Sequence, residues 1–199
     1  MTTTSQQICK VVLVGETQTG KTSIIAKLTK DIFQEEVGST IVNSITNYKI
    51  ELEDTKTVQL VIWDTAGQEK YRSLNTLFYK DAVIVVLVYD QTQRKTFEEV
   101  KNYWIPQIRS HCGERIIVAI AANKSDLFEE QEVSDEEGKQ LAEATKGIFM
   151  QTSCKTGSGI KELFHVLAKE YYKGDNEEKK RLVLEEQKQQ NDKDKKSCC

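Results

Sequence analysis

Long apolar runs are absent from this 199-residue sequence, and none reaches the roughly 18 residues that a membrane-spanning helix needs. The opening stretch, residues 1–7, is Thr, Ser and Gln without the basic and apolar regions of a signal peptide, so a cytosolic chain is the expectation. Five cysteines, at positions 9, 112, 154, 198 and 199, show neither metal-ligand spacing nor a disulfide framework. Positive charge is not in excess: 28 Lys and Arg stand against 31 Asp and Glu, a net charge of −3, and nucleic acid is not expected as a partner. There are no internal repeats. A hydrophobic fraction of 38% is somewhat low and a charged fraction of 30% somewhat high, as a polar tail diluting an ordinary core would produce. The length suits one core-bearing domain with a short appendage, and nothing implies oligomerisation, so a monomer is expected.

What is present is alternation. Ile8–Val14 is an apolar run broken only by Cys9 and Lys10, and it ends at a glycine. Gly20–Lys30 then carries Ile24, Ile25 and Leu28 at helical spacing. Ser44–Glu53 and Thr57–Trp63 read as adjoining strands around a polar turn. Ala82–Tyr89 and Ile116–Ala121 are β-branched and almost wholly apolar, the pattern of strands covered on both faces. Helical patterns at Lys95–His111, Asp135–Thr145 and Ile160–Lys173 separate these strands and a last short one, Ile148–Thr152. Strict alternation predicts an α/β fold with an open, mostly parallel sheet, helices on both faces and one antiparallel edge strand. Three segments follow: residues 1–7 as a short disordered N-terminus, 8–173 as the folded domain, and 174–199 as a flexible tail too poor in apolar residues to offset its chain entropy.

Chemistry begins at Gly15-Glu16-Thr17-Gln18-Thr19-Gly20-Lys21-Thr22, which fits G-x-x-x-x-G-K-[ST] between a strand and a helix. Backbone N–H groups in such a loop turn inward around phosphates, and the helix N-terminus adds partial positive charge. Lys21 is placed to reach the β- and γ-phosphates, and the Thr22 hydroxyl to bind Mg²⁺. A glycine-rich turn that merely caps a helix is the bland alternative. Asn123-Lys124-Ser125-Asp126 directly follows a buried strand, on the ligand-binding edge of an open sheet. A carboxylate there can accept from guanine N1–H and the exocyclic amine, donors that adenine lacks at those positions. Ser153-Cys154-Lys155 follows the last strand and can bring a backbone N–H to the guanine carbonyl.

Taken with Thr40 and Asp64-Thr65-Ala66-Gly67-Gln68-Glu69, these segments resemble the Ras superfamily of small GTPases over residues 8–173. The run from Trp63 to Tyr71, with the terminal Cys198-Cys199, resembles the Rab branch, which directs vesicle traffic. The resemblance implies the P-loop small-GTPase fold on a six-stranded sheet, and a switch cycling between GDP and GTP with Mg²⁺ as cofactor. It implies phosphate-loop contacts from Gly15, Thr17, Gln18, Thr19, Gly20, Lys21, Thr22 and Ser23, and base contacts from Asn123, Lys124, Asp126, Ser153, Cys154 and Lys155. Thr22, Thr40 and Asp64 would serve the metal. Thr40 and the Gly67 N–H would meet the γ-phosphate, Gln68 would orient the attacking water, and Lys21 would assist on the phosphates. Phe33 would pack edge-on against guanine, with an exposed loop aromatic as its alternative. Ile45, Trp63 and Phe78 would form the effector patch, a core role being the alternative for Trp63. Cys198 and Cys199 would carry lipid, two chains giving stable anchoring. Implied partners are an exchange factor, a GTPase-activating protein, a prenylation escort, a GDP-dissociation inhibitor, effectors and the cytoplasmic face of a vesicle or endosomal membrane.

Two departures from the family pattern stand out. Thr17 and Gln18 occupy loop positions where relatives more often carry small residues; Gln18 either points to solvent or perturbs exchange and hydrolysis. Ile45 stands where many Rab proteins have an aromatic, which implies an altered partner set. Cys9, Cys112 and Cys154 are expected to be buried. A P-loop ATPase or nucleotide kinase would not need Asn123–Asp126. A catalytically silent scaffold would have no use for Gln68, and a nucleotide-free binding module none for Lys21, Thr22 and Asp64.

Overall fold

The computed structural model describes residues 7–34, 44–53, 56–65, 79, 81–112 and 115–176. Six strands form one sheet: β1 (Gln7–Val14), β2 (Ser44–Glu51), β3 (Thr57–Asp64), β4 (Ile84–Asp90), β5 (Ile117–Asn123) and β6 (Ile148–Thr152), in the order β2-β3-β1-β4-β5-β6. All neighbours pair parallel except β2 and β3, which pair antiparallel with Ile45 opposite Trp63 and Ile50 opposite Val58. The central strand β4 is buried at every position, which explains its unbroken apolar sequence; the edge strand β2 buries only Ile50.

The period of two sorts each strand into two cores. On one face Val11, Leu13, Leu60, Ile62, Val86 and Val88 meet α1 (Lys21–Lys30) and a C-terminal helix, α4, described over residues 160–176. On the other, Val12, Val14, Val85, Leu87 and Ile120 meet a long helix, α2 (residues 94–111), and α3 (Asp135–Thr145). Ser134 and Glu137 form a capping box at the start of α3.

Helix α2 is a composite: Arg94–Glu99 and Ile105–His111 are α-helical, and Val100–Trp104 between them is a π-helix. Its cause is the only proline in the sequence, Pro106. A proline in mid-helix removes an N–H donor and crowds the carbonyl four residues earlier, and widening the preceding turn relieves both. Trp104, the last residue of that turn, is fully buried in the core against the sheet.

Several boundaries differ from the sequence reading. The strand expected over Ala82–Tyr89 is Ile84–Asp90, that over Ile116–Ala121 is Ile117–Asn123, and that over Ser44–Glu53 ends at Glu51. Two of these strands thus run on into polar residues, Asp90 and Asn123, which the site uses. Helix α4 passes the expected domain limit at 173. Its last turns are tied to β1 by the Tyr171 hydroxyl donating to the Ile8 carbonyl (3.2 Å) and by the Gln7 amide donating to Asp175. Cys9 and Cys154 are buried as expected, but Cys112, just past the end of α2, is only half-buried.

Candidate functional site

The carboxyl ends of β1, β3, β4, β5 and β6 bring the sequence motifs to one edge of the sheet, where ligands of open α/β sheets bind. The loop after β1 is shaped by two glycines. A Cβ at Gly15 (φ 145°) would stand 2.1 Å from the Val88 carbonyl oxygen, and one at Gly20 (φ 95°) 2.2 Å from Asn123 Nδ2. Neither position admits a side chain. Between them, the Thr19 hydroxyl donates to the Glu16 carbonyl at 2.9 Å and closes the loop on itself. Gln18 is exposed and sits at φ 62°, in the left-handed region. Thr17 within the loop and Ser23 just past it are both partly exposed. Helix α1 opens without a side-chain cap and without an acidic residue in its first turn, leaving its N–H donors and dipole to an anion.

Lys21 is buried beneath this loop, its ammonium donating to the Gly15 carbonyl at 2.9 Å and the Glu16 carbonyl at 2.7 Å. Burial pulls its pKa down to about 8, against the pull of Asp64 and Glu16. Asp64 ends β3 under the same loop and accepts from the Thr22 hydroxyl at 2.7 Å through Oδ2. Its other oxygen, Oδ1, is buried with no hydrogen-bond partner among the described residues. Burial raises the Asp64 carboxyl, against the Thr22 hydroxyl and the Lys21 ammonium. An orphaned carboxylate oxygen beside a hydroxyl is a donor pair suited to a hard cation such as Mg²⁺, which is held by one or two side chains and completes its shell with phosphate and water. The adjoining Thr65 hydroxyl donates to the Leu13 carbonyl at 2.6 Å and locks β3 to β1 at this point.

The opposite end of the site is built differently. Asn123 is turned inward: its Nδ2 donates to the Thr19 carbonyl at 2.8 Å, and its Oδ1 accepts from the Thr152 hydroxyl at 3.1 Å. It therefore braces the phosphate loop against the last two strands. The Cys154 thiol lies 3.6 Å from both polar atoms of that amide and 3.9 Å from the Gly20 carbonyl, and burial raises its pKa to about 11. Lys124 adopts φ 66° and ion-pairs with the buried Asp90 at 2.6 Å. Asp126 Oδ1 accepts from the Ser153 hydroxyl at 2.5 Å, and that same oxygen of Ser153 accepts from the Thr156 N–H at 3.1 Å. Lys155 is exposed.

Structure thus brings together the phosphate loop, Asp64, Asn123–Asp126 and Ser153–Lys155. Phe33 lies past the end of α1, 39% exposed. Ile45, 55% exposed, stands directly across from Trp63, which is partly buried with the Lys10 ammonium 4.5 Å above its ring. Thr40, Gly67, Gln68, Phe78, Cys198 and Cys199 lie outside the described residues. Sequence reasoning missed Asp90 and the Cys154 side chain. An acid at the carboxyl end of a wholly apolar parallel strand was a usable signal for Asp90; Cys154 carried none, because its role depends on contacts between distant loops.

The profile of the Ras family matches residues 10–173. Over 163 residues the chain is 39% identical to Ras-related protein RABA2b of Arabidopsis thaliana, covering 82% of this chain and 75% of that one. It is 37% identical to Ras-related protein RGP2 of Oryza sativa subsp. japonica, covering 82% and 74%. It is 39% identical to Ras-related protein Rab2BV of Beta vulgaris, covering 82% and 75%.

Proposed function

The chain belongs to the Ras family, in its Rab branch, and from that premise we propose which of its residues work the switch. As a Rab-type small GTPase it binds guanine nucleotide, hydrolyses GTP and serves vesicle traffic at membranes. The observation that carries the residue assignment is the 2.8 Å hydrogen bond from Asn123 to the Thr19 carbonyl, which makes one rigid site of a phosphate loop and a base loop 104 residues apart.

In this reading Lys21 gives up its loop carbonyls for phosphate oxygens, and the N–H groups of residues 15–22 surround the same phosphates. The carboxylate of Asp126 reads the guanine edge, held in orientation by Ser153. Lys124, straightened by Asp90, lines the base and the loop at once. Thr22 and Asp64, with Thr40, hold Mg²⁺, which when bound neutralises charge on the phosphates. Gln68 orients the attacking water, and Thr40 and Gly67 sense the γ-phosphate. Catalysis of this type is positioning and charge stabilisation, with intrinsic turnover on the order of 10⁻⁴ s⁻¹ in a Ras-type site. The chain therefore depends on an exchange factor and on an activating protein, and signals through effectors at Ile45, Trp63 and Phe78. Lipid on Cys198 and Cys199 attaches it to the cytoplasmic face of an endosomal or other vesicle membrane, with a prenylation escort and a GDP-dissociation inhibitor handling that lipid. No helix among the described residues is long and apolar enough to cross a membrane.

Single-turnover hydrolysis on purified protein tests the assignment, comparing GTP with ATP and Gln68→Leu with wild type. Slow phosphate release from GTP, further reduced in the variant, is the expected result. GTP binding without release, even with a cognate activating protein, would instead make the chain a silent scaffold.

A further inference from the structure

On the far side of the sheet from α1, the C-terminal ends of α2 and α3 part over the start of β5 and leave a cavity of about 480 Å³. Its floor is apolar, formed by Leu87, Ile108 and Val118, and the Cys112 thiol stands on its wall. Two cations, Arg109 and Lys146, also line it, and among the described residues no acidic one does. Arg109 spends one N–H on the Ala144 carbonyl at 3.0 Å, which fixes its guanidinium across the gap between the two helices, and its other donors have no partner among the described residues. Lys146, in the left-handed position that ends α3, has no ion-pair partner among the described residues. A volume within the range of small-molecule sites, an apolar floor and two convergent cations describe a receptor for an apolar body with an anionic head.

We propose that this cavity binds a single-chain amphipathic carboxylate of the fatty-acid class, its chain on Leu87, Ile108 and Val118 and its head between Arg109 and Lys146. The charges select the head and the closed apolar floor selects the chain. The site lies away from Asn123, Lys21 and Asp64, so it can be occupied while nucleotide is bound.

Cys112 supplies the readout. The full chain loaded with GDP is treated with N-ethylmaleimide, and labelling of Cys112 is followed by peptide mass analysis while laurate is added below its micelle concentration. Laurate should slow that labelling saturably, at one molecule per chain. Dodecylamine, with the same chain and opposite charge, and acetate, with the head alone, should not. Lys146→Gln and Arg109→Gln should each weaken laurate by about tenfold, the worth of one charge-assisted hydrogen bond. Ile108→Trp should abolish protection by filling the floor; should that variant fail to fold, the exposed Lys146→Gln still decides. Equal protection by dodecylamine, or unchanged laurate affinity in both charge variants, would overturn the proposal. So would a Cys112 that is shielded without laurate and becomes reactive when Leu182, Val183 and Leu184 are replaced by serine, since the occupant would then be the chain's own tail.

Discussion

The two ends of the nucleotide site solve opposite problems. At the phosphate end, charges are buried without full compensation: among the described residues Lys21 has only loop carbonyls for hydrogen-bond partners, and Asp64 keeps one orphaned oxygen. At the base end the motif side chains are already matched, Asn123 to Thr19 and Thr152, Lys124 to Asp90, and Asp126 to Ser153. On the proposed function the phosphate end, costly until a polyanion and a cation complete it, supplies affinity, and the base end, assembled beforehand, supplies choice. Asn123 joins the two ends through the Thr19 carbonyl.

Removing the phosphate-end charge should have the largest effect. Lys21→Met is expected to weaken GDP and GTP by about 3 kcal/mol, on the order of a hundredfold, measured by titration calorimetry. The same variant exposes the cost of that charge in the ligand-free protein. Burial lowers the Lys21 pKa from 10.5 to about 8, so between those values the unfolded chain binds more protons than the folded one. Wild-type stability relative to Lys21→Met should then be flat below about pH 8 and rise toward pH 10.5, by on the order of 3 kcal/mol in denaturant titrations. A difference independent of pH would mean that Lys21 is not strained in the free loop.

At the base end, Asp126→Asn should cost GDP about 2 kcal/mol while improving xanthosine diphosphate, because xanthine replaces the amine donor with a carbonyl that an amide can meet. Lost GDP affinity without that exchange would show that Asp126 supports the loop instead of reading the base. Asn123→Ala should lower unfolding stability by about 2 kcal/mol, since it strands the Thr19 carbonyl and the Thr152 hydroxyl in a buried place. The smallest effect belongs to Gln18→Gly. Relief of a non-glycine residue at φ 62° is offset by the greater freedom of glycine in the unfolded chain, leaving a gain under about 1 kcal/mol.

Much of this was legible beforehand, for a physical reason. Strands buried on both faces write themselves as apolar runs, which is why β1, β4 and β5 are legible to within two residues at each end. A loop that must admit no Cβ writes itself as glycine, which marked Gly15 and Gly20. Asp64 and Asp126 were placed by the order of motifs. Illegible were the features made by contact across the chain. The π-turn in α2 comes from Pro106 acting on a helix that periodicity alone draws as continuous. The inward turn of Asn123 depends on the Thr19 carbonyl, and the three extra residues of α4 depend on Gln7 and Ile8 at the other end of the sequence.

The division of labour between the two ends stands or falls on base selectivity. Ligand-free wild-type chain should be titrated calorimetrically with GDP and with ADP, in Mg²⁺ at constant ionic strength. Because the phosphates are identical, the phosphate end contributes equally, and the base end alone should favour GDP by a factor on the order of 10⁴ or more. Equal affinities would contradict the account, for they would mean that Asp126 and its braces do not read the base and that the phosphate loop alone holds the ligand.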